Sequence, residues 1–179
     1  MLCLLLLFTA CDEPLPRPTK KGKDTFGCKI NGKNWVPEGG EFLSSVKPLV
    51  ARYDGNILRI DANTANKKNN TSIYLYLEKV TGTGEYPINF ITDVPPFGTS
   101  YTSHGIYYHV DKTYLDPVTN SYGKRSFYAT NAKYPGKVNI TRLDSSTKIV
   151  SGTFEFTAEN RDNPGQTVKI TSGRFDTHW

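Results

Sequence analysis

Three histidines, His104, His109 and His178, hold most of the acid–base potential of this chain. On a strand, residues two apart share a face, so His109 and Asp111 point the same way while His104 points the other. A metal site on His109 needs further ligands from elsewhere, and nothing at zinc-like spacing supplies them. Ser103 directly precedes His104, but the Gly-x-Ser-x-Gly elbow of serine hydrolases is missing. Glu78, Glu85, Glu155 and Asp61 offer carboxylates for glycoside hydrolysis, yet a chain with 17 acidic residues offers such pairs by chance. Gly82-Thr83-Gly84 reads as a hairpin turn, and no phosphate-binding glycine motif occurs. The expectation is a non-enzyme with no metal and no cofactor.

Aromatic side chains carry a stronger signal. Tyr101, Tyr107, Tyr108, Tyr114, Tyr122, Phe127, Tyr128 and Tyr134 crowd one stretch, with Asn120, Lys124, Arg125 and Asn131 among them. A tyrosine ring joins an apolar face to a polar tip, which suits partly exposed binding surfaces. Such rings can stack on sugars while Asn and Asp bond the hydroxyls. Tyr is also a favoured strand residue, so part of the set serves only to cover a sheet. Tyr107, Tyr108, His109, Tyr122 and Tyr128 are the candidate ligand-binding residues.

A third chemical signal is Cys11. It follows the apolar run Leu4–Phe8 and the small pair Thr9-Ala10, the pattern of a lipoprotein signal peptide cleaved just before a cysteine that takes lipid. The run is too short to cross a bilayer, which needs about 20 residues. No Lys or Arg precedes it, unlike most secretory leaders. The reading is a signal peptide over 1–10, acylation (palmitate among the chains) at Cys11, and a membrane as partner. Residues 11–24, with alternating Pro14, Pro16 and Pro18 and then Lys20, Lys21 and Lys23, read as a tether. As extended polyproline II at about 3.1 Å per residue, it would hold a domain up to roughly 40 Å from the membrane. With Cys3 removed and Cys11 acylated, Cys28 is left without an intramolecular disulfide partner. It alternates with Phe26 and Ile30 on an apolar face and reads as a small core residue.

The elements that must position these groups are strands. Period-two alternation runs through residues 25–175, in about ten or eleven short segments separated by Gly, Asn, Asp and Pro clusters. Asn31-Gly32 is a two-residue hairpin signal. Phe42, Val46 and Leu49/Val50 have helix-like spacing that Pro48 limits to two turns, so 37–48 reads as a loop or short cap. The expected fold is all-β, an antiparallel sandwich or a partly closed, lipocalin-like barrel, in a single domain over 25–179. Of the basic residues behind the net charge of +5, Arg17, Lys20, Lys21 and Lys23 sit in the tether and the rest are scattered among Asp and Glu, with no clustered basic face or motif for nucleic acid.

Phe26-Gly27-Cys28-Lys29-Ile30-Asn31-Gly32-Lys33-Asn34-Trp35-Val36-Pro37 forms one distinctive stretch. The other runs from Gly136 to Asp144, through Ser151-Gly152-Thr153-Phe154-Glu155-Phe156, to Ser172-Gly173-Arg174-Phe175-Asp176. With the lipobox, these resemble an uncharacterised-domain family of small lipoproteins from Bacteroidetes-type bacteria. The acidic pair Asp12-Glu13 resembles the signal that sends such lipoproteins to the cell surface. The resemblance implies location and fold, and brings no activity. The expected role is a non-catalytic binding or accessory module at the outer membrane or cell surface, for a glycan, another small ligand or an envelope protein. The alternative is a structural or assembly subunit.

Overall fold

A computed structural model describes residues 14–40, 45–89 and 102–179. These form twelve strands and no helix: β1 (Thr25–Ile30), β2 (Lys33–Trp35), β3 (Gly39–Gly40), β4 (Leu49–Asp54), β5 (Ile57–Ala65), β6 (Asn69–Leu77), β7 (Gly84–Ile88), β8 (His104–Leu115), β9 (Tyr122–Ala129), β10 (Gly136–Asp144), β11 (Ile149–Asn160) and β12 (Thr167–His178). The fold is all-β as expected, in one sheet curled into a half-barrel. The sheet is mixed, because β3 runs parallel to β5. Leu49 and Val50, part of the expected helical spacing, belong to β4; residues 41–44, with Phe42, lie outside the described residues.

β11 holds the two walls together. One edge pairs with β12 along nearly its whole length. The other pairs with β10 over Ile149–Phe156, and then with β9 at Glu159 and Asn160. One wall is therefore β7-β10-β11-β12-β1-β2, and the other is β9-β8-β6-β5 with β3 and β4 on its edge. Leu58, Ile60, Ile73, Leu75 and Leu77 of the second wall meet Phe26, Cys28, Val138, Phe154, Phe156 and Ile170 of the first.

Three phenylalanines fit this core because each faces a glycine across the ladder: Gly136 opposite Phe156, Gly152 opposite Phe175, and Gly173 opposite Phe154. A Cβ on Gly173 would stand 2.6 Å from the Phe154 ring and 2.5 Å from its carbonyl oxygen; one on Gly152 would stand 2.6 Å from the Phe175 ring. The rings lie over bare backbone, a device that allows a sheet to bend tightly. Ladder irregularities at Ile140/Arg142 and Phe154/Phe156 add to the curl. As the alternation predicts, Phe154 and Phe156 point inward, and Thr153 and Glu155 outward.

The described part of the segment read as a tether lies against the domain. Residues 15–24 lie as a strap on the outer face of β1 and β12. Asp176, only 1% exposed, accepts hydrogen bonds from the Thr19 hydroxyl, from Ser151 Oγ at 2.6 Å, and from the N–H groups of Lys21, Gly22 and Lys23 at 3.0, 2.9 and 3.2 Å. Successive N–H groups converging on one carboxylate make a backbone nest, and Gly22 supplies its left-handed residue at φ +64°. Arg174 Nη1 donates to the Pro16 carbonyl at 3.1 Å. Arg174 and Asp176, which share a strand face, thus both hold the strap. At this same C-terminal end of β12, the His178 N–H donates to Asp24 at 3.1 Å and Trp179 packs on Tyr53.

Two predictions follow from these contacts. Burial alone would push the Asp176 carboxyl up, but its hydrogen bonds from Ser151, Thr19, Gly22 and Lys23 outweigh that and hold it at about 2 against the ordinary 3.8. A depressed carboxylate stabilises the fold above about pH 4, and this contribution, about 2 kcal/mol, is lost as pH falls through 2. Asp176→Asn should flatten that acid limb in urea titrations and open the strap to trypsin after Lys20, Lys21 and Lys23; unchanged tryptic resistance would contradict the latch. Gly173→Ala should cost about 1–3 kcal/mol by overpacking. Gly82→Ala, with nothing within 4 Å of the added carbon, should be nearly neutral; equal effects in urea melts would count against the glycine–phenylalanine fit.

Candidate functional site

The ladder sorts the candidate residues by face. Across β6, β8 and β9, Ile73, Tyr107 and Tyr128 form one rung, Thr71, His109 and Ser126 the next, and Asn69, Asp111 and Lys124 the third. Ile73 belongs to the core, so these rungs lie on the inner, concave face. The surface passes from apolar to polar to charged over about 13 Å, four residues of strand. The Tyr107 and His109 rings are parallel within 4°, with centroids 6.3 Å apart; Tyr128 lies 5.6 Å from Tyr107, tilted by 55°.

Chemistry along the rungs is set by burial and local bonds. Burial pushes the Tyr107 phenol up to about 12, and Tyr128 and Cys28 push the same way, so it remains a hydroxyl donor. Burial lowers the His109 pKa, with Asp111 pulling weakly against it, so the imidazole is neutral at pH 7. Its Nδ1 lies 3.1 Å from the Thr71 hydroxyl. Asp111 bonds forward instead: its Oδ1 accepts from Thr113 Oγ1 at 2.6 Å and Thr113 N at 2.9 Å, which lowers its pKa.

Two of the five candidates do not join this surface. Tyr108 pairs with Ser72 and Phe127 on the outer face. Tyr122 stands 74% exposed opposite Leu115, at the far end of the β8–β9 hairpin. Tyr107, His109 and Tyr128 come together; Asp111, Ser126 and Lys124 complete the row and were not among the candidates. Their alternation was the available signal, but parity in one strand does not say which parity faces the core. Tyr101 and Cys11 lie outside the described residues.

The remaining chemical candidates take up structural positions. His104 faces outward, stacked on Tyr76 at 5.1 Å with its Nδ1 donating to the Thr102 carbonyl at 2.6 Å; burial lowers its pKa. Glu85 and Glu155 flank Lys137 at 3.2 and 3.8 Å. That ion cluster sits in a shallow cleft of about 490 Å³ on the outer face of β10–β12. Asp61 lies beside Arg52 at 3.7 Å; burial raises its pKa while Arg52 and Arg59 pull it down. Among the described residues, no three His, Cys, Asp or Glu side chains gather closely enough to hold a metal.

Residues 47–177 match the sequence model of DUF6252, a domain of unknown function. The chain belongs to that family. The DUF6252 match spans β4 to β12, and so includes the three rungs, the glycine–phenylalanine pairs and Asp176; the strap, β1 and β2 precede it. No curated protein and no solved structure matches the chain.

Cys28 is fully buried, and burial pushes its thiol up to about 12. Thiolate is the reactive form, so the native domain should leave this thiol unmodified by a disulfide reagent and release it to reaction only on unfolding. Rapid modification of the native protein would contradict its place in the core.

Proposed function

We propose that this chain is a lipid-anchored cell-envelope protein whose β domain is a non-catalytic glycan-binding module. In this reading, residues 1–10 are removed, Cys11 is acylated, and the protein stands at the outer membrane or cell surface, as in Bacteroidetes-type lipoproteins. The anchor rests on the apolar run and Cys11 in the sequence. Mass spectrometry of the native protein should find an acylated Cys11 terminus; an unmodified chain starting at Met1 would contradict it.

The observation that carries the binding reading is the grading of the three rungs. Tyr107 and Tyr128 offer ring faces, and Thr71, His109, Ser126, Asp111 and Lys124 follow with neutral and charged hydrogen-bonding groups on the same face. A sugar needs that combination, an apolar ring face beside polar groups for its hydroxyls. The alternative, a subunit of a surface assembly, draws on β2, β4 and β7, each paired on one side only among the described strands. Strand addition at such an edge is a general route to partner binding.

A glycan array probed with the mature chain separates the two. Binding is expected, and Tyr128→Ala should weaken it at least tenfold, about 1.4 kcal/mol. Tyr108→Ala, on the opposite face, should leave it unchanged. A blank array, or equal loss in both variants, would overturn the concave-face reading and favour assembly.

A further inference from the structure

The strap is fixed at two separate places. At one end, Leu15 and Pro16 lie over Gly27, where an added Cβ would stand 2.7 Å from Pro16 Cδ, and Arg174 holds the Pro16 carbonyl. At the other end, Asp176 gathers the N–H groups of Lys21, Gly22 and Lys23, and Arg142 donates to the Lys20 carbonyl. Only four residues of chain lead from Cys11 to Leu15, and four residues span at most about 15 Å in any conformation. An acyl group on Cys11 therefore sets the bilayer within that reach of the outer face of β1 and β12.

The charge on this face has one dominant sign. Arg17, Lys20, Lys21 and Lys23 are all exposed. Asp24, the acidic residue at the end of the strap, is engaged by Thr177 and His178, and Asp144 is bound by Arg142 at 2.7 Å. Asp12 and Glu13, next to Cys11, oppose part of this charge. Basic segments close to a membrane are drawn to anionic headgroups, and an acyl chain supported by such a segment anchors more firmly than the chain alone.

We propose that the strap and the outer face of β1 and β12 form a docking surface for a bilayer bearing anionic headgroups, so that the domain rides against the membrane in a fixed orientation. The inference rests on acylation of Cys11. It replaces a swinging domain with one whose strap side is turned to the lipid.

The acylated mature protein, bound to vesicles of phosphatidylcholine and phosphatidylglycerol, tests it with spin labels. Ser172→Cys puts a label at an exposed position of β12, in a cleft that Pro18 of the strap also lines. Val118→Cys puts one in the β8–β9 turn, at a position 90% exposed. Buried Cys28 takes no label. A nickel chelate carried on lipid headgroups should relax the label at 172 strongly and the label at 118 little, and the effect at 172 should weaken on phosphatidylcholine alone. Vesicle-bound protein with equal relaxation at both positions would overturn the docking and leave the anchor standing. Equal relaxation at 172 on both vesicle types would overturn the anionic preference. Protein that does not associate with vesicles at all would overturn the anchor, and the inference with it.

Discussion

β11 must belong to two walls at once, and the fit of Phe154 and Phe156 beneath it makes that feasible. A strand that pairs with β10 for part of its length and β9 for the rest has to curl sharply. Side chains on both partners would block the curl; glycines at 136, 152 and 173 remove them where the three rings need space. Phe154 then contacts Phe26, Phe156 and Phe175, with centroids 5.0, 6.4 and 6.4 Å away. Truncating a buried phenylalanine typically costs 3–5 kcal/mol, a large share of the stability of an ordinary domain. The same curl turns β8 and β9 so that one side of their ladder is concave.

The binding proposed for that concave side is a matter of strand parity. Moving by one residue exchanges every side chain between faces. Tyr107 therefore joins Ile73 and Tyr128, while its neighbour Tyr108 joins Ser72 and Phe127. Within the first rung Ile73 is sealed in the core while Tyr107 and Tyr128 are half-buried against it, and the third rung, with Asp111 and Lys124, is freer. A graded surface of this kind is suited to an amphipathic ligand, and it lies on the wall that does not carry the strap.

Much of the architecture is legible in the sequence because period two and turn chemistry are local. Asn31 and Gly32 adopt φ of +49° and +86° in the β1–β2 turn that their types predict, and Cys28 sits in the core as its alternation requires. What the sequence hides is non-local. Tyr107 and Tyr108 look alike until the partner of each is known. Pro14, Pro16 and Pro18 describe an extended segment, but nothing in them says that it lies on the sheet. That depends on Asp176, more than 150 residues away, whose partners are mainly backbone N–H groups. β4 was masked by Pro48 and an accidental helical spacing, and pairing with β5 overrides both.

The central claim is that ligand meets this protein on the inner rungs of β6, β8 and β9. Its most direct test is a saccharide titration followed by NMR of the aromatic and histidine ring signals. The account predicts shifts at Tyr107, His109 and Tyr128, with Tyr108, Tyr122 and His104 unmoved. Shifts centred on Tyr108 or on the Lys137 cleft, with His109 silent, would contradict it.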